Sequence, residues 1–253
     1  MAPDSSSESV LPRKRDLESI EEALTGLPEV ELKGLFRRSS NYTFLVEVSG
    51  PTESHLAVYK PAQGETPLWD FPPSTLFRRE VAAYSLARHL GWPDIPPTVV
   101  RVEAPHGVGA LQMYVDADPR LSYLRPPAGP APNWLPVALF DVLTNNADRK
   151  AGHCLFDATG KLWVIDHGLT FHVEPKLRTV IWDHAGQPVP APLREDLCRA
   201  AESLAGGSLD GQLSQLLSRA ELRTLGRRLR SAAKPGFRLP EPTSDWSIPW
   251  PPV

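Results

Sequence analysis

The spacing of apolar positions changes several times along the chain. In residues 16–25, Leu17, Ile20 and Leu24 recur as one helical face, and Gly26 ends the run. From Val30 the period becomes two. Segments 30–35, 43–48 and 55–60 alternate and predict three antiparallel strands. A polar, proline-rich stretch at 61–73 follows. Ser74 is then placed to cap a helix to about residue 90, with Leu76, Ala83, Leu86, Ala87 and Leu90 as its apolar set. Gly91-Trp92-Pro93 stops that helix. Segments 98–102 and 110–115 read as two more strands.

After a proline-rich loop at 116–133, residues 134–143 form an apolar helix, with Pro136 tolerated in the first turn. Segments 154–157 and 162–166 predict a hairpin around Ala158-Thr159-Gly160. Helices are expected at about 192–205, 209–218 and 220–233. The resulting organisation is a disordered tail at 1–15, a β-rich lobe at 16–115 and a linker at 116–133. A mainly helical lobe follows at 134–233, then a Pro/Trp-rich tail at 234–253. That tail should pack on the body, with Trp246 and Trp250 as anchors. The fold class is α+β.

Composition narrows the function. The 253 residues carry 27 Lys+Arg against 30 Asp+Glu, which disfavours a general nucleic-acid binder. Two cysteines exclude a disulfide scaffold or a cysteine-based zinc site, and Cys154 reads as a small apolar strand residue. No apolar run reaches membrane-spanning length, and the first residues lack the apolar core of a secretory signal. A cytoplasmic protein without an integral membrane segment is expected. Only seven residues are lysine against twenty arginines, so each lysine draws attention.

The chemistry concentrates in Thr144–Phe156 and Leu162–Gly168. Asp148 lies in a polar loop after an apolar helix, His153 comes five residues later, and Asp166 follows the second strand of a hairpin. Phosphoryl transfer needs one carboxylate to orient the attacking hydroxyl and two ligands for a cation bridging the phosphates. Gly168 is placed to let the chain turn past Asp166. Lys60, at the end of a strand, can meet the α- and β-phosphates, and Glu80, mid-helix, can hold Lys60 in an ion pair. The turn Ser39-Ser40-Asn41 can lay backbone N–H groups over phosphates.

Asn146-Ala147-Asp148-Arg149 and Val164-Ile165-Asp166-His167-Gly168 resemble motifs of the phosphatidylinositol 3-/4-kinase-related atypical kinases, above all the type II phosphatidylinositol 4-kinases. The whole is similar to a phosphatidylinositol-kinase-like family of high-GC bacteria. The resemblance covers about 30–185. It implies a two-lobed protein-kinase-like fold, with a small antiparallel N-lobe carrying one helix and a mainly helical C-lobe. It implies an ATP-dependent kinase using Mg²⁺ or Mn²⁺ and acting on a hydroxyl acceptor, protein or small molecule. By resemblance Asp148 is catalytic, and Asp166 and His153 hold the metal. Lys60 and Glu80 position phosphate, and Gln112, Met113, Tyr114 and Val115 meet adenine.

Two departures stand out. His153 replaces an asparagine, and imidazole suits later divalent ions better than magnesium. Ser39-Ser40-Asn41 replaces a glycine-rich loop. A nucleotide-binding pseudokinase is therefore the first alternative. A metal-dependent phosphohydrolase, drawing on His153, His167, His172 and His184, is the second. The arginine-rich helix at 219–230 is either a solvated face or a surface for anionic lipid or an acidic partner.

Overall fold

The computed structural model describes residues 14–36, 39 and 41–253. The expected tail at 1–15 lies almost wholly outside them, and helix α1 (Lys14–Gly26) has already begun at Lys14.

The alternating segments become β1 (Glu29–Leu35), β2 (Phe44–Ser49), β3 (Ser54–Pro61), β4 (Thr98–Arg101) and β5 (Gly109–Met113). All pair antiparallel in one sheet of order β1-β2-β3-β5-β4. Inward residues Val46, Val48, Ala57, Tyr59 and Leu111 pack with Leu24 of α1. Arg101 ties this helix down. Its guanidinium donates to the carbonyls of Thr25 and Leu27 at 2.8 Å, groups that a helix end leaves without intrahelical partners.

Helix α2 (Leu76–Leu90) joins the two lobes because it is apolar on more than one face. Phe77 and Val81 pack against Ala62 and Ala110 of the sheet side. Ala82, Leu86 and Leu90 enter the larger core, where they meet α3 (Leu135–Thr144), α4 (Ala191–Ser203) and α6 (Arg219–Ala232). Ser74 does not cap α2. It sits at φ 60°, and Thr75 occupies the cap position with its hydroxyl donated to Pro72 O. The Glu65 carboxylate, from the preceding loop, instead accepts from Phe77 N–H at 2.9 Å, a favourable place for negative charge.

The hairpin is β6 (Cys154–Phe156) with β7 (Leu162–Val164), shorter at its end than the sequence suggested. Helix α5 (Ser208–Leu213) also stops early. Ser218 and Glu221 form a reciprocal capping box that starts α6, so the residues between Leu213 and Ser218 make the turn.

The C-terminal tail corrects another expectation. Trp246 is 78% and Trp250 89% exposed, so neither is an anchor. Burial alternates here: Ser247 and Pro249 face inward, and Trp246, Ile248 and Trp250 face out. Backbone contacts hold the tail instead. Thr179 N–H donates to Ser247 O at 3.0 Å, and Ala151 N–H donates to Pro252 O at 2.9 Å. Among the described residues no helix is long and apolar enough to cross a membrane.

Candidate active site

The site lies where the end of β3, the middle of α2 and the segment after β7 meet. Lys60 Nζ pairs closely with Glu80 Oε1 and lies 3.1 Å from Asp166 Oδ1. Glu80 is almost fully buried, and its second oxygen accepts from His167 N–H at 2.9 Å. One buried carboxylate thus fixes both the lysine and the backbone beside Asp166. Burial alone would lower the Lys60 pKa, but Asp166 and Glu80 outweigh it and raise the value. The ammonium therefore stays charged. Burial opposes ionisation of Asp166 too, yet Lys60 and His153 hold its carboxyl well below the usual range.

Asp166 has φ 60°, a backbone conformation costly for a residue with a Cβ. The sharp turn is made here and not at Gly168, which is absent from the positive-φ glycines. A Cβ at Gly168 would make only ordinary contacts, the nearest 3.5 Å from Glu80 Oε1. The strain at Asp166 directs a half-exposed carboxylate out of a buried segment.

His153 stands beside it, with Nε2 3.2 Å from Asp166 Oδ2. Burial is the main cause of its low pKa of about 4, so the ring is neutral near pH 7. Its Nδ1 accepts from Lys150 N–H at 3.3 Å. The proton is then on Nε2, and His153 presents a donor, not a lone pair, to Asp166. A ligating histidine ordinarily donates through its second nitrogen; this one accepts. The arrangement fits a cation held by Asp166 and completed by phosphate oxygens and water, a common pattern for magnesium. It does not fit His153 as a direct ligand without loss of the Lys150 bond. Among the described residues no group of three or more His, Cys, Asp or Glu side chains is placed to hold a metal.

Asp148 lies in the loop after α3. Its Oδ2 is 3.2 Å from Lys150 Nζ, and its N–H donates to Asn146 Oδ1 at 3.0 Å. Burial raises its pKa; Lys150 works against that, and Asp166 adds to it.

What positions this loop was missed by the sequence reading. Asp141 of α3 is fully buried and accepts from Arg149 Nη2 at 3.0 Å, from Asn146 Nδ2 at 2.9 Å and from Thr179 Oγ1 at 3.2 Å. Arg149 also donates to Ile165 O and His167 Nε2, both at 2.7 Å. The loop bearing Asp148 and the segment bearing Asp166 are thereby tied to one helix. The available signal was an aspartate within an otherwise apolar helix, spaced five and eight residues from Asn146 and Arg149.

The other candidates are placed less directly. Ser40 lies outside the described residues. Ser39 Oγ bonds Thr43 Oγ1 at 3.0 Å, and Asn41 Oδ1 accepts from Thr66 N–H at 2.7 Å, so both side chains serve the turn itself. Gln112 is buried and donates to Thr98 Oγ1 at 2.8 Å. Met113 packs against the core behind the sheet. Its N–H and that of Tyr114 serve Pro97 O and Leu56 O. Val115 follows, half-buried, beyond the end of β5. His172 Nε2 donates to Asp70 O at 3.0 Å, and His184 bonds Gln187; neither joins His153.

An antiparallel five-stranded sheet, a joining helix and a helical lobe, with the Lys60–Glu80–Asp166 cluster between them, make this a kinase-like fold. A solved structure of the Helicobacter pylori proinflammatory kinase CtkA matches it with a TM-score of 0.51 at 12% identity, over 83% of this chain and 92% of that one. The chain belongs to the same family as Protein Rv2133c of Mycobacterium tuberculosis (strain ATCC 25618 / H37Rv), being 38% identical over an alignment of 266 positions, gaps included, that covers 91% of this chain and 95% of that protein. It is also 31% identical over 178 residues to phosphatidylinositol 4-kinase gamma 4 of Oryza sativa subsp. japonica, covering 56% of this chain and 30% of the rice protein. No family model matches the chain.

Proposed function

We propose that the chain is an ATP- and divalent-metal-dependent phosphotransferase that acts on a hydroxyl acceptor. The observation that carries this reading is the convergence of Lys60, Glu80 and Asp166, with Asp148 in the adjoining loop. Lys60 would neutralise phosphate oxygens, held in place by Glu80. Asp166 would hold the cation, with His153 orienting its carboxylate through the Nε2 proton. A bound divalent cation would supply charge neutralisation across the phosphates. Asp148 would orient the acceptor hydroxyl and take its proton as the acceptor oxygen bonds to the terminal phosphorus and the bridging P–O bond breaks. The kinship with a rice phosphatidylinositol 4-kinase supports the reaction type. It leaves the acceptor open to protein or small molecule, since it spans 30% of that protein.

The test pairs binding with turnover. Lys60→Ala is expected to weaken nucleotide binding roughly tenfold to a hundredfold, the worth of one or two charge-assisted contacts. Asp148→Asn should leave nucleotide affinity in place and slow turnover by about 10²–10⁴-fold. Wild-type protein that binds nucleotide yet shows no ATP turnover with any divalent ion would make it a nucleotide-binding regulatory module instead.

A further inference from the structure

Helix α6 carries a stripe of arginines outside the Lys60–Glu80–Asp166 site. Arg219, Arg223, Arg227 and Arg230 line one wall of a groove of about 800 Å³. Its lining also includes Ala201 and Leu204 at the end of α4, Asp210 of α5, and Val173. Among the described residues none of the four arginines has an ion-pair partner, and Arg227 bonds only the Thr224 hydroxyl, at 3.0 Å. The remaining charged residues of α6 are engaged elsewhere. Glu221 pairs with the buried Arg79, and Arg228 donates to His172 O at 2.7 Å. Asp210 is the one carboxylate lining the groove.

We infer that this groove receives an acidic polypeptide segment of a partner protein, with apolar side chains interleaved among its carboxylates. Charge selects an anionic occupant, because four unpaired guanidinium groups face one carboxylate. Shape selects a chain over a membrane. Ala201 and Leu204 are buried and Leu222 half-buried among the lining residues, so the apolar floor is recessed between helices. A flat bilayer would touch the arginine tips and leave that floor uncovered, whereas a peptide can place side chains on it. This site is independent of the proposed phosphotransfer, and its test needs neither nucleotide nor turnover.

The probe is a fluorescent synthetic peptide of repeating Glu-Glu-Leu, read by anisotropy against the full chain. Wild type should bind it, more weakly as salt rises. Charge reversal in R223E/R227E, at two exposed positions, should weaken binding by at least about tenfold with the thermal melt unchanged. A peptide of repeating Gln-Gln-Leu should not compete. Equal binding by the reversed variant overturns the inference, as does failure of the acidic peptide to bind at low salt. So does sedimentation with phosphatidylglycerol vesicles in place of peptide binding, which would make this a membrane surface. If R223E/R227E fails to fold, R223Q/R227Q removes the charge more gently and should still weaken binding.

Discussion

Two clusters of charged side chains stand on either side of Ile165 and differ in how they are closed. In the first, Lys60 and Glu80 are paired while Asp166, their third member, is 47% exposed. In the second, Asp141 and Arg149 are both 0% exposed, and protein donors occupy Asp141 on several sides. The first cluster leaves the Asp166 carboxylate partly open to solvent, where a ligand can add to it. The second has no such opening, and its charges can only hold backbone segments together. Satisfied bonding inside the protein marks a scaffold, and an incompletely enclosed ion cluster marks a place for chemistry.

The sharpest way to break this contrast is at Asp141. Asp141→Ala leaves Arg149 buried without its partner and is expected to cost about 3–5 kcal/mol of stability. A thermal melt should fall by roughly 10 °C or more. A melt unchanged within error would show that the closed cluster is not a scaffold. A smaller effect is expected at Thr179, whose hydroxyl is one of several donors to Asp141. Thr179→Val should lower stability by about 1 kcal/mol, read from the urea midpoint at constant slope. The smallest effect sharpens the open cluster. His153→Asn should leave the ratio of magnesium- to manganese-supported turnover unchanged, because His153 offers Asp166 a proton and not a lone pair. A shift toward magnesium would instead place residue 153 on the metal.

The same contrast explains what could be read in advance. The meeting of Lys60, Glu80 and Asp166 was legible because a lone lysine at a strand end and an aspartate following an apolar strand break local patterns, and Glu80 is a mid-helix acid able to pair the lysine. Local patterns are all that a sequence displays. Gln112 was legible as a strand residue but not as a partner of Thr98, because that bond crosses between β4 and β5. Asp141 was passed over because its partners lie on three separate segments: the loop at 146–149, Ile165–His167 by way of Arg149, and Thr179. Ser74 and the two tail tryptophans went astray for a related reason. Their residue types suit capping and burial, but Glu65 accepts from Phe77 N–H at the helix start, and the tail, with a 3-10 turn at Asp245–Ser247, leaves Trp246 and Trp250 outward.

The sequence by itself determined the order and type of the elements, the apolar faces and the polar residues that interrupt them. These follow from periodicities of two and 3.6 and from the restricted backbones of glycine and proline. Only the tertiary structure decided which nitrogen of His153 faces Asp166, that the turn after β7 is made at Asp166 and not at Gly168, and that Asp141 gathers the loops around the site. The first sets His153 between Lys150, three residues away, and Asp166, thirteen away, and the last rests on partners up to 38 residues from Asp141. The energy of a buried polar group is set by the donors and acceptors that folding brings to it, and residue identity alone does not specify them.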